Sequence, residues 1–202
     1  MSVPTIGILG GVGSGKSSVI RQVTEFQLQI IDADKIGHDL LQGSNVLKQL
    51  RQIFPASIFN SRGQIIRSKL AQQVFGESAE QKTGLNQLEQ IIHPAIRCEI
   101  KAQIQTVVPS VDAVILDAAI LLETGWAEEC DHLIYIDTPE AQRIERVKFS
   151  RNWSAEELER RECTQLPLET KRQRADFIVD NSATMEQAVQ QMTRILRSLV
   201  VY

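Results

Sequence analysis

Residues 5–17 read Thr5-Ile6-Gly7-Ile8-Leu9-Gly10-Gly11-Val12-Gly13-Ser14-Gly15-Lys16-Ser17, an apolar run that opens into a glycine-rich loop. The segment from Gly10 to Ser17 satisfies G-x-x-x-x-G-K-[ST]. Its glycines let the chain curl until successive backbone N–H groups point inward at an anion. A helix opening near Gly15 adds its positive dipole end at the same spot. On this reading Gly11, Val12, Gly13, Ser14 and Gly15 cradle nucleotide phosphates. Lys16 reaches the β- and γ-phosphates, and the Ser17 hydroxyl ligates Mg²⁺. The competing reading is a glycine turn between a strand and a helix. An apolar strand before the motif and a helical pattern after it are the context that phosphate binding requires.

Outward from this loop, four more short apolar runs read as buried parallel strands, because they are continuous rather than alternating. They are Gln29–Ile31 leading into Asp32-Ala33-Asp34, Ala113–Leu116, His132–Ile136 and Phe177–Val179. Helices are predicted between them. One runs from Ser14 to Phe26, and another from Leu85 to Val107 with Leu85, Leu88, Ile92, Ile96, Ile100 and Ile104 at helical spacing. Thr138-Pro139 reads as a capping threonine with proline at the first helical position. Thr184-Met185-Glu186-Gln187 reads as a capping box that opens the C-terminal helix. Strands alternating with helices predict an α/β fold: a five-stranded parallel sheet flanked by helices. Two intervals break the alternation. Residues 38–110 are mainly helical, and residues 138–175 are rich in charge, with nine Lys/Arg against six Asp/Glu between 143 and 174. We read 1–37, 111–137 and 176–202 as the core, 38–110 as a substrate lobe and 138–175 as a lid.

Asp32 and Asp34 lie at the C-terminal end of the second predicted strand, the end outside which ligands bind in open α/β sheets. If extended, both carboxylates point to one side. Such a group can take a proton from an attacking hydroxyl, or simply cap the next helix. Asp34, further out on the loop, is the better catalytic candidate. Asp117 ends an apolar strand, as an acid that holds Mg²⁺ through water does, but Asp137 ends another. Arg146 and Arg151 suit bidentate contact with a transferring phosphoryl group, or are exposed helix charges.

The totals narrow the class. The net charge of −3 gives no general reason to expect nucleic acid or an anionic membrane as partner. The cysteines, three in number and far apart, argue against a disulfide framework and for a reducing compartment. No signal peptide or membrane-length apolar run is evident, so a cytoplasmic enzyme is expected.

Further fragments carry a resemblance. Gly63-Gln64-Ile65-Ile66-Arg67 with Leu70 and Val74-Phe75, Ile91-Ile92-His93-Pro94, and Leu121-Leu122-Glu123 follow the loop and the D-A-D in order. Gln165-Leu166-Pro167-Leu168-Glu169, Lys171, Ala175-Asp176 and Asp180-Asn181-Ser182 complete the series. Together they resemble the dephospho-CoA kinase family. The resemblance implies a nucleoside-monophosphate-kinase-like core and ATP with Mg²⁺ as cofactors. It further implies transfer of a phosphoryl group to the ribose 3′-hydroxyl of dephospho-CoA, the last step of coenzyme A synthesis. It makes Asp34 the general base, puts Asn181 near the adenine of ATP, and places Arg67 and His93 on the acceptor side. These last three are otherwise a turn residue, a surface ion pair and a helix-capping histidine. The chain departs from the family pattern at Leu9, at His38 and in the spacing of Arg146 and Arg151. Two other functions fit the loop: another small-molecule kinase of nucleoside, gluconate or shikimate type, or a non-catalytic module that senses ATP.

Overall fold

The computed structural model describes residues 3–200. The continuous apolar runs form strands β1 (Thr5–Leu9), β2 (Leu28–Asp32), β3 (Ala113–Asp117), β4 (His132–Asp137) and β5 (Phe177–Asp180). They make one parallel sheet in the order β2-β3-β1-β4-β5. Strand β1 is central and buried along its whole length, as a strand covered by helices on both faces must be. Its neighbours β3 and β4 are both distant from it in sequence, so the crevice beyond its C-terminal end is where the chain changes direction across the sheet. The predicted α/β class with five parallel strands is the observed one.

The chain forms two compact units, residues 1–32 with 103–202, and residues 33–102. The first holds the sheet. Its core joins Ile6, Ile8, Ile115, Ile134, Ile136 and Val179 of the strands to Val19 and Ile20 of α1 (Lys16–Arg21). At about 1.5–3 kcal/mol for each fully buried aliphatic side chain, this cluster is a main stabilising term of the unit. The second unit contains α2 (Ala33–Leu40), α3 (Ser44–Ile53), α4 (Arg67–Val74) and most of α5 (Ala79–Gln105). It buries Val46, Leu50, Ile58, Leu70, Ile92 and Ile96. Back in the first unit are α6 (Glu140–Arg151), α7 (Ala155–Glu162), α8 (Leu168–Arg174) and α9 (Met185–Leu199). Helix α9 adds Ala188, Met192 and Leu196 to the core cluster. It begins with the predicted capping box: Thr184 accepts from Gln187 N–H while the Gln187 side chain accepts from Thr184 N–H.

Three local expectations are corrected. Helix α1 is shorter than 14–26. It cannot begin before Lys16, because Gly15 is left-handed at φ 86°, and it ends in tight turns from Gln22 N–H to Val19 and Val23 N–H to Ile20. Thr138 does not cap α6. Pro139 is the N-cap, and the Thr138 hydroxyl donates instead to the Ser14 carbonyl at 2.8 Å. Asp32 and Asp34 do not share a strand face, because β2 ends at Asp32 and α2 begins at Ala33. The two-residue alternation of a strand therefore stops between them, and Asp34 sits in a first helical turn, where the dipole favours a carboxylate.

Candidate active site

The loop joining β1 to α1 is built around two left-handed glycines, Gly13 at φ 76° and Gly15 at φ 86°. Space as well as backbone demands them. A Cβ on Gly13 would lie 2.9 Å from the Arg143 carbonyl oxygen, and one on Gly15 3.0 Å from Asn181 Nδ2. Ser14 N–H closes a turn on the Gly11 carbonyl at 3.2 Å. From the first turn of α1, the Lys16 ammonium reaches back to the Gly10 and Gly11 carbonyls at 3.2 and 3.4 Å. One short loop thus gathers a cation and the N-terminal amides of a helix, which is what a polyphosphate needs.

Beside this loop the sheet supplies acids. The Ser17 hydroxyl donates to Asp117 Oδ2 at 2.6 Å. Asp32 is the register partner of Asp117, so two carboxylate residues end adjacent strands. The rival strand-end acid is occupied otherwise, since Asp137 faces Arg172 at 3.5 Å. The structure therefore separates two acids that looked alike in sequence. Ser17 and Asp117 are hard oxygen donors suited to Mg²⁺. Among the described residues no three His, Cys, Asp or Glu side chains form a metal cluster. An ion here would take its remaining ligands from phosphate oxygens and water, the usual manner of Mg²⁺. The residues fit the ion.

The outer side of the loop is held by contacts the sequence did not disclose. Three donors converge on the Ser14 carbonyl: Thr138 Oγ1 at 2.8 Å, Asn181 Nδ2 at 2.8 Å and Arg146 Nη1 at 3.1 Å. Arg146 also reaches the Asn181 carbonyl at 3.4 Å. Asn181 is fully buried, so its side chain serves the loop backbone rather than lining an open cleft. Arg143 is buried too, and its guanidinium contacts the carbonyls of Thr138 and Val12 and the carboxylate of Glu162. Lys171, equally buried, donates to Glu123, Gln165 and the Ala119 carbonyl. One signal pointed to Arg143. It stands four residues before the buried Val147, a charge within the apolar stripe of α6.

The remaining candidates are placed as follows. Asp34 is exposed in the first turn of α2. Arg67 is the first residue of α4 and exposed. His93 lies inside α5, before Pro94, and so caps nothing. Burial pushes its imidazole below the ordinary 6.5, with Glu89 pulling weakly the other way, so the ring is neutral at neutral pH. These three belong to the unit of residues 33–102, the phosphate loop to the other. Arg151, exposed in the last turn of α6, lies over the Trp153 ring at 4.8 Å, and Arg161 packs on the same ring at 3.9 Å.

A phosphate loop at the end of a central parallel strand, with a lysine, a serine and a strand-end acid around it, defines a P-loop nucleotide-binding protein. A family model described as dephospho-CoA kinase matches residues 4–187, and the chain belongs to that family. A dephospho-CoA kinase of Corynebacterium diphtheriae is 35% identical over 183 residues, 90% of each chain. A solved structure from Thermus thermophilus superposes with a TM-score of 0.83 at 25% identity over the whole of both chains. A shikimate kinase from Acinetobacter baumannii has the same fold, with a TM-score of 0.52 at 15% identity over 99% of this chain and 96% of that one. The fold alone therefore does not choose the acceptor, whereas the family does.

Proposed function

We propose that the protein transfers the γ-phosphoryl group of ATP to the ribose 3′-hydroxyl of dephospho-CoA, giving coenzyme A and ADP. The observation that carries this reading is the glycine loop with Lys16 and the Ser17–Asp117 pair, in a chain matched to the dephospho-CoA kinase family from residue 4 to 187. Asp34 accepts the hydroxyl proton as the oxygen bonds to the γ-phosphorus, and the bond to the β–γ bridging oxygen breaks to release ADP. The loop amides of Gly13, Gly15, Lys16 and Ser17 and the Lys16 ammonium stabilise the charge spread over the phosphoryl oxygens, whereas Val12 N–H is spent on Glu162 and Ser14 N–H on the Gly11 carbonyl. Ser17 and Asp117 would hold Mg²⁺, which would neutralise the β- and γ-phosphate charge. Asn181 acts on the nucleotide side through the phosphate loop, by fixing the Ser14 carbonyl, rather than by lining an adenine pocket with its buried side chain. We read residues 138–175 as a lid whose fixed edge is the buried Thr138 and Arg143 on the loop and whose exposed part carries Arg151 to the phosphates on closure, which excludes water as a competing acceptor.

Residues 38–110 form the acceptor lobe. Arg67 supports this, because a cation on the first residue of a helix opposes the macrodipole and does not serve helix stability. Its use is to meet an anion, and dephospho-CoA offers a pyrophosphate. His93, neutral, contributes a hydrogen bond rather than a charge. The test is ADP release by the purified protein with ATP, Mg²⁺ and one acceptor: dephospho-CoA, adenosine, a nucleoside monophosphate, shikimate or gluconate. Dephospho-CoA should be preferred by orders of magnitude in kcat/KM, since its remote pyrophosphate supplies binding energy that aligns the hydroxyl. A preference for any other acceptor would retire this assignment.

A further inference from the structure

Gly10, Gly13 and Gly15 have positive φ, but Gly11 does not, so its backbone makes no demand for glycine. What glycine provides there is room. A Cβ at Gly11 would lie 2.9 Å from Glu162 Oε1 and 3.0 Å from Arg143 Nη1. These two side chains form an ion pair pressed against the loop, with Arg143 Nη1 at 3.5 Å from the Val12 carbonyl and Glu162 Oε1 accepting from Val12 N–H at 3.0 Å. The pair therefore grips the same residue through both its backbone groups. Arg143 is 4% exposed, and its Nε is spent on the Thr138 carbonyl at 3.3 Å, so it is held before it meets the loop. Glu162 is the last residue of α7.

We propose that Arg143 and Glu162 are a pair of positioning residues that clamp Val12, setting the shape of the phosphate loop and tying it to α6 and α7. The pairing also solves an electrostatic problem. A lone carboxylate at the loop would supply the acceptor that Val12 N–H needs but would repel a triphosphate. Neutralised by a buried guanidinium, it keeps the hydrogen bond without the net charge. Glu162 meets the loop already paired with Arg143.

The two halves of the pair then have opposite electrostatic effects on nucleotide affinity. Arg143→Met leaves a bare carboxylate beside the loop and should weaken ATP binding roughly 5- to 20-fold, the effect of one nearby unit charge at intermediate dielectric. Glu162→Gln keeps an oxygen for Val12 N–H but leaves the arginine uncompensated. ATP binding should hold or tighten, while turnover falls because the loop is less firmly set. The double variant should recover most of the lost ATP affinity, whereas the coupling of a merely structural pair would show in stability and not in ATP affinity per folded molecule. ATP affinity is read by calorimetry without acceptor, so the outcome stands apart from whether dephospho-CoA is the acceptor; turnover is read with dephospho-CoA. If Arg143→Met does not fold, Arg143→Lys retains the charge and should keep ATP affinity near wild type with reduced turnover. Glu162→Gln that raised both affinity and turnover would make the carboxylate an inhibitory plug and overturn the clamp. Equal loss of melting temperature in both single variants, with ATP affinity and turnover per folded molecule unchanged, would overturn it as well.

Discussion

Replacing Gly13 by alanine separates backbone strain from the packing of the loop, provided that Gly125→Ala is made beside it. The two glycines have nearly the same left-handed backbone, φ 76° and 72°. A left-handed non-glycine residue costs about 1–2 kcal/mol. At Gly125 that is the whole effect, because a Cβ there meets nothing nearer than Glu128 Oε1 at 4.0 Å. At Gly13 the Cβ would meet Val147 Cγ1 at 2.8 Å and, less forgivingly, the Arg143 carbonyl oxygen at 2.9 Å. Backbone of α6 must then give way, and overpacking of this kind adds about 1–3 kcal/mol. For a chain of this size each kcal/mol moves the melting temperature by about 2–4 °C. Gly125→Ala should therefore melt roughly 2–8 °C below wild type, and Gly13→Ala roughly 4–20 °C below. Function discriminates more sharply. Saturating ATP at about a hundred times its Kd should add about 2.7 kcal/mol to wild type and to Gly125→Ala. The same ATP should add little to Gly13→Ala, whose loop can no longer close on the phosphates. Thermal melts with and without ATP, and steady-state turnover, are sufficient. A Gly13→Ala protein that melted with Gly125→Ala and showed the full ATP shift would refute the view that this loop packs against α6.

Asp34→Asn should lower turnover by roughly 10²–10⁴ with ATP affinity unchanged, since it removes a base and keeps a hydrogen-bonding shape. Greater damage from Asp32→Asn would transfer the role to the last residue of β2. Asp117→Asn should raise the Mg²⁺ concentration needed for half-maximal turnover, because the Ser17 hydroxyl loses its 2.6 Å carboxylate acceptor; an unchanged Mg²⁺ titration would count against the site. For His93, the folded imidazole titrates below its ordinary 6.5. Below that value the unfolded chain binds the proton first, so stability is present above it and lost as pH falls through the folded pKa. Urea midpoints between about pH 5 and 8 should show this acid limb, and His93→Gln should flatten it.

Local physics was legible in the sequence wherever neighbouring residues satisfy one another. The phosphate loop is such a case, since its glycines, its turn and the helix it opens lie within a few residues, and so is the Thr184–Gln187 capping box. The inner strands β1 and β3 were legible because burial on both faces leaves no polar positions to break the run, while the edge strands β2 and β5, which leave Ile30 and Ile178 exposed, were legible only as short apolar runs. The sequence also carried the family resemblance, and with it the expected acceptor. What tertiary structure decided involves partners far apart along the chain. It joined Ser17 to Asp117 across 100 residues and left Asp137 to Arg172. It took Thr138 away from its helix and put it on a carbonyl 124 residues earlier, where Asn181 also arrives from 167 residues away. It buried Arg143 against Val12 with Glu162. No spacing rule encodes such contacts. A buried donor takes whichever acceptor the packing of the sheet and its helices brings within reach, because leaving it unsatisfied costs about 1–3 kcal/mol.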